Sequence, residues 1–166
     1  MAAGATYEPI ATTTLSSAAS SVTFSSISGS YTDLVCVINS NTTADTQIRI
    51  RFNSDSGNNY SSTIIYGDGT SAGSVRVSNE SSGNIGGLGT NWGTTVIHLN
   101  NYSNATTYKT ILGRYNETSA SYGEAGAKVV LWRSTSAINS IAFTLPSTYT
   151  YASGSTFTLY GIQSAT

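Results

Sequence analysis

The chain has 166 residues, and only 9% of them are charged, against about 25% in an ordinary globular domain. Seven Lys and Arg against eight Asp and Glu leave a net charge of -1, which excludes both a basic face that grips phosphate and a polybasic membrane segment. Ser and Thr make up roughly a third of the residues, yet 39% hydrophobic residues, with eleven Tyr, four Phe and two Trp, supply a core that disordered chains lack.

The elements follow in chain order. Met1 to Thr6 has neither the basic nor the apolar region of a signal peptide. The stretch 7–14 contains Pro9, which cannot donate to a ladder, so it reads as an edge strand or an arm. In the arm reading, residues 1–14 lie along a neighbouring subunit by strand addition, with Tyr7 and Ile10 as the partner-binding anchors. In the other reading they form an ordinary edge strand of their own sandwich. Residues 11–20 are the best helical window, and three successive Thr with several Ser spoil it.

Strands are expected near 20–26 and 33–40. Leu34 to Ile38 is apolar on both faces, as in a covered central strand, with Cys36 as a buried small hydrophobe. In 46–53, Ile48, Ile50 and Phe52 share one face, and Gln47, Arg49 and Arg51 the other. Arg51 to Tyr60 sets Asn53, Asp55 and Asn59 at alternating positions. One carboxylate without a bidentate Glu is too little for a calcium loop, so the segment reads as an Asx-rich turn. Strands are expected at 61–66 and 73–79, and the Gly-rich stretch Ser78 to Trp92 reads as a loop.

Further strands are expected at 94–101, 108–115, 127–134, 138–146 and 155–162. Ile97, Leu99, Phe143, Leu145, Phe157 and Leu159 point inward, and His98 points outward. Val129 to Trp132 reads as a second central strand covered on both sides. With one stretch irregular, the count is about ten strands. Their even spacing predicts one all-β domain over 1–166, an antiparallel β-sandwich or barrel.

Residues that carry chemistry are scarce. No Gly-x-Ser-x-Gly elbow occurs, one His and one Cys cannot ligate zinc, and the acids form no suggestive pair. No enzyme, metal or cofactor is expected. Low net charge and only two Lys to guard sheet edges favour self-assembly, with a homotrimer as the expected form.

Tyr7 to Leu15, Tyr31-Thr32-Asp33-Leu34, Arg51 to Tyr60, Trp132 to Ile141 and Gly154 to Ile162 together resemble small virion structural proteins of tailed bacteriophages, especially of aquatic and cyanobacterial hosts. The resemblance spans almost the whole chain. It implies a β-sandwich of jelly-roll type, made in the host cytoplasm and placed on the virion. The implied role is capsid decoration, or cement, with the major capsid protein as partner. A tail-fibre or receptor-binding domain that contacts host glycans is the alternative. The resemblance brings no catalytic residues.

Overall fold

The structure is a computed structural model that describes residues 6–120 and 123–163. Among these the regular elements are twelve strands: β1 (Tyr7–Thr14), β2 (Ser21–Phe24), β3 (Asp33–Ser40), β4 (Thr46–Phe52), β5 (Tyr60–Gly67), β6 (Ala72–Glu80), β7 (Gly83–Leu88), β8 (Gly93–Asn100), β9 (Lys109–Thr118), β10 (Gly123–Trp132), β11 (Ile141–Thr144) and β12 (Thr156–Ile162). Every pairing is antiparallel. Each stretch expected from alternation holds a strand, and β7 is the addition.

The strands form two sheets, ordered β1-β12-β3-β8-β9-β10-β5-β6 and β2-β11-β4-β7. Eight strands make a jelly roll: β1-β12-β3-β8 faces β2-β11-β4-β7, and the chain crosses between the sheets as the first strands pair with the last. Two hairpins are inserted into this roll. β5–β6 lies between β4 and β7, and β9–β10 lies between β8 and β11. Both extend the same sheet, which becomes twice as wide as the one facing it.

Alternation places the core. Ile48, Ile50, Phe52, Ile97, Leu99, Phe143, Leu145, Phe157 and Leu159 are all buried. Phe143 lies 6.3 Å from Phe24 and 5.8 Å from Phe157, centroid to centroid, and Tyr151 meets Phe157 edge-on at 5.0 Å. Cys36 is fully buried on β3, and that burial pushes its thiol well above the usual range.

Two expectations need correction. The stretch expected as a loop contains β7, every residue of which is buried. Its glycines let it lie flush on the facing sheet: a Cβ on Gly83 would sit 2.4 Å from Val130, which no side chain tolerates. Glycine erases the period-2 signal that alternation relies on. Second, Val129 is 46% exposed, because no third layer covers the outer face of the wide sheet. The doubly apolar pattern there marks an open apolar face.

Residues 7–14 pair along their length with β12 of their own chain, with a bulge at Ile10 between Pro9 and Ala11. This is the edge-strand arrangement of the two that the sequence left open. Residues 1–5 lie outside the described residues.

Phe143 fills the centre of the roll, so Phe143→Ala is expected to lower the unfolding free energy by about 3–5 kcal/mol in a urea titration. A loss below about 1 kcal/mol would remove Phe143 from the core.

Candidate functional site

The widened sheet creates the most site-like feature. Among the described residues β7 is the edge of the narrow sheet and pairs with β4 alone, so β5 and β6 project beyond it. The inner face of that overhang is bare, and Val75 on β6 remains 46% exposed although it pairs opposite the buried Ile64. Beneath the overhang lies a cleft of about 480 Å³, lined by Gln47 of the roll, Gly87 of β7, and Tyr66, Tyr115, Glu117, Glu124 and Lys128 of the inserted hairpins.

Strand alternation aims these groups. On β9, Tyr115 and Glu117 face inward, alternating with the exposed Arg114 and Asn116. Glu124 lies directly across from Glu117 in the β9–β10 register, so the hairpin sets two carboxylates side by side. Lys128 faces the same way on β10 and is 3% exposed. Its Nζ donates to Asn84 Oδ1 at 2.7 Å and sits 4.5 Å from the centre of the Tyr115 ring. Asn84 in turn donates to Gln47 Oε1 at 2.6 Å. The Tyr115 hydroxyl donates to Glu124 Oε1. The Tyr115 ring lies across Gly126, where a Cβ would approach within 2.6 Å.

Glu117 differs from its neighbours. It is 8% exposed, and its carboxylate has no hydrogen-bond partner among the described residues. One oxygen rests on the Gly87 backbone, only 1.8 Å from where a Cβ would stand. Burial, with Glu124 and Asp45 nearby, pushes Glu117 up to about 7, although Lys128 acts against the rise. Burial pulls Lys128 down to about 8, against the pull of Glu124 and Glu117. The sequence showed these acids as scattered, and the structure brings Asp45, Glu117 and Glu124 to one cleft. The available sequence signal was the symmetry of Glu117 and Glu124 about the turn between β9 and β10. Among the described residues no group of His, Cys, Asp and Glu could hold a metal ion.

The expected partner anchors lie elsewhere. Tyr7 on β1 is 55% exposed and meets Tyr160 edge-on at 6.3 Å. Ile10, at the bulge, is half-buried and packs on the core. His98 is partly exposed on the outer face, as its alternation suggested, and lines a shallow hollow with Leu112 and Ala127. Across that face Val35, His98, Leu112 and Val129 fall in one cross-strand row. Ile65 pairs beside Ala127 in the next row. Leu112, Val129 and Ile65 are exposed.

The Asx-rich segment is a structural turn. Asp55 accepts from Trp132 Nε1 at 2.7 Å, Gly57 N at 2.8 Å and Asn59 Nδ2 at 3.0 Å. Burial raises the Asp55 carboxyl, but these three donors outweigh it and hold the group below the usual carboxylate range. Large aromatic rings with high exposure do not converge on one platform. Trp92 precedes the start of β8 and Tyr108 follows the loop at its far end.

No protein-family model matches the sequence, and no curated protein does. Among solved structures, the Caenorhabditis elegans galectin LEC-6 aligns over 89% of this chain and 94% of its own, with 10% identity and a TM-score of 0.37. The alginate lyase Aly36B, solved as a mutant with alginate tetrasaccharide, aligns over 80% and 71%, with 9% identity and a TM-score of 0.28. A tetrameric galectin from the ball sponge Cinachyrella aligns over 86% and 99%, with 11% identity and a TM-score of 0.23. The all-β sandwich class is established by the strands and their pairing, and likeness at this level carries nothing about activity.

The two titrating groups give opposite slopes. Between pH 4.5 and about 7 the folded chain keeps a proton on Glu117 that the unfolded chain has released, so stability falls as pH rises. Between about 8 and 10.5 the unfolded chain keeps a proton on Lys128 that the folded chain has released, so stability rises again. Melting temperature against pH is expected to dip between 7 and 8, and Glu117→Gln is expected to flatten the acid side of the dip. The turn gives a separate expectation. Asp55→Ala strands the buried Trp132 donor and should cost about 1.5–3 kcal/mol by denaturant unfolding at neutral pH. This difference should shrink as the pH falls through the depressed Asp55 range.

Proposed function

We propose that this protein is a bacteriophage virion component, a decoration protein that sits on the outer capsid shell as a homotrimer and reinforces it without chemistry. The observation that carries the reading is the open outer face of the wide sheet, where Leu112, Val129 and Ile65 stand exposed in adjoining cross-strand rows. Contiguous apolar surface of this kind marks interaction sites on soluble proteins. The jelly-roll topology supports the reading by analogy alone, since such rolls serve as viral capsid domains and also as lectins. The resemblance of segments along almost the whole chain to virion proteins supports it further.

In this reading the major capsid protein receives the apolar face. Tyr7, exposed on the edge strand β1, contributes a contact to a neighbouring subunit, while Ile10 fixes the strand to its own core. A neutral, hydroxyl-rich surface suits dense packing on a shell, where strong like charge would drive copies apart.

Purified protein mixed with undecorated capsids should co-sediment with them at hundreds of copies per particle. The double variant Leu112→Asp/Val129→Asp, both positions being exposed, should keep its melting temperature and lose co-sedimentation. Retained binding by that variant removes the outer face from the reading. A native copy number of only a few to tens per virion would place the protein in the tail and favour the fibre alternative.

A further inference from the structure

The cleft under the overhang holds more negative than positive charge. Asp45, Glu117 and Glu124 face it, with Lys128 as the lysine among its lining residues. Three carboxylates against one ammonium leave two carboxylates uncompensated when all are ionised. Arg49 stands near the rim, but its guanidinium is engaged by Gln47 Oε1 at 3.2 Å and by Glu80 at 4.0 Å.

Internal structure accounts for most of these groups. Lys128 is held by Asn84 and the Tyr115 ring, and Glu124 by the Tyr115 hydroxyl. Glu117 is not accounted for. The Glu117 residue is 8% exposed and its carboxylate is seated on a glycine, no donor among the described residues hydrogen-bonds to it, and its oxygens open on the cleft. It faces a cleft that Tyr115 and Tyr66 also line.

We propose that this cleft is a binding site for a small organic ammonium ion, a primary or secondary amine, with Glu117 as the accepting carboxylate. Asp45 at the rim attracts the cation, and Tyr66 in the lining offers aromatic surface to the alkylammonium, since the Tyr115 ring already carries Lys128. Lys128 sets the specificity. Its fixed charge on the floor repels the inner part of a long polycation, so a compact amine fits better than an extended one. An alkylammonium also needs no cage of oxygen ligands, which the described residues do not provide for a metal ion. The site is independent of the shell-facing surface, because it opens on the inner face of the same sheet.

Protonation gives the signature. Glu117 accepts an ammonium hydrogen bond only when ionised, and its rise to about 7 makes that fraction sensitive near neutrality. The charged groups around it are Asp45 before β4, Arg49 on β4, and Glu124 and Lys128 on β10, and the neutral phenols of Tyr66 on β5 and Tyr115 on β9 also face the cleft. Between pH 6 and 7.5 Lys128, at about 8, stays largely protonated, so Glu117 dominates the change.

The test is calorimetric titration of the full chain with 1,4-diaminobutane, spermidine, calcium chloride and lactose. Diaminobutane should bind, with affinity rising roughly eightfold from pH 6 to 7.5 as Glu117 ionises. Glu117→Gln should remove that pH dependence and weaken binding at pH 7.5 at least fivefold. Asp45→Asn, at an exposed position, should fold normally and weaken binding two- to threefold, which keeps the test decisive if Glu117→Gln fails to fold. Spermidine should bind less tightly than diaminobutane. Absence of amine binding, binding without the pH rise, or full affinity in both variants overturns the proposal, as does tighter binding of calcium or lactose than of the amine.

Discussion

The width mismatch between the two sheets governs the rest of the molecule. A sandwich is stable when each inner face is buried against another, and four strands can bury only about four. The inserted hairpins carry the wide sheet to eight strands, so its far end must be closed by other means. β7 closes part of the gap by pressing its glycine-rich backbone against β9 and β10. Past β7, polar side chains line the inner surface, and the cleft forms where apolar packing stops.

Burial under such conditions is selective. Lys128 tolerates it because Asn84, itself anchored to Gln47 and to Ser62, presents an acceptor. The relay ties the inserted β5–β6 and β9–β10 hairpins to β4 and β7 of the roll. At the C-terminal end of β10, Trp132 stacks with Tyr60 and packs on Phe52, and Asp55 fixes its ring nitrogen. Together these two polar anchors hold the insertions to the roll at the middle and the C-terminal end of one strand.

Alternation made the roll legible. Ile48, Ile50 and Phe52 announce their facing because β4 has one dry side and one wet side, and the same holds for Phe157 and Leu159 on β12. β7 was invisible because its inward positions include Gly83 and Gly87, and a glycine carries no polarity to read. The apolar run at Val129 to Trp132 showed a strand but misled about its cover, since pattern cannot tell a second layer from an open face. The cleft was hidden for a different reason. Its members come from β4 and the residue before it, and from β5, β6, β7, β9 and β10, and only the strand register sets Glu117 opposite Glu124 and both beside Lys128. Charged residues also read as surface by default, and here two of the fifteen, Glu117 and Lys128, are buried at the site. The edge position of β1 was readable from Pro9, while its choice of β12 as partner depended on closing the roll.

Cys36 gives this fold a built-in reporter. It is the sole thiol, it sits fully buried on β3 between β12 and β8, and its raised pKa keeps it protonated. A thiol reagent can reach it only when the centre of the wide sheet opens. The rate at which the native chain is alkylated therefore clocks the opening of the central strands without any added label. A ligand or a shell that holds the sheet shut would show itself as protection at this one sulfur.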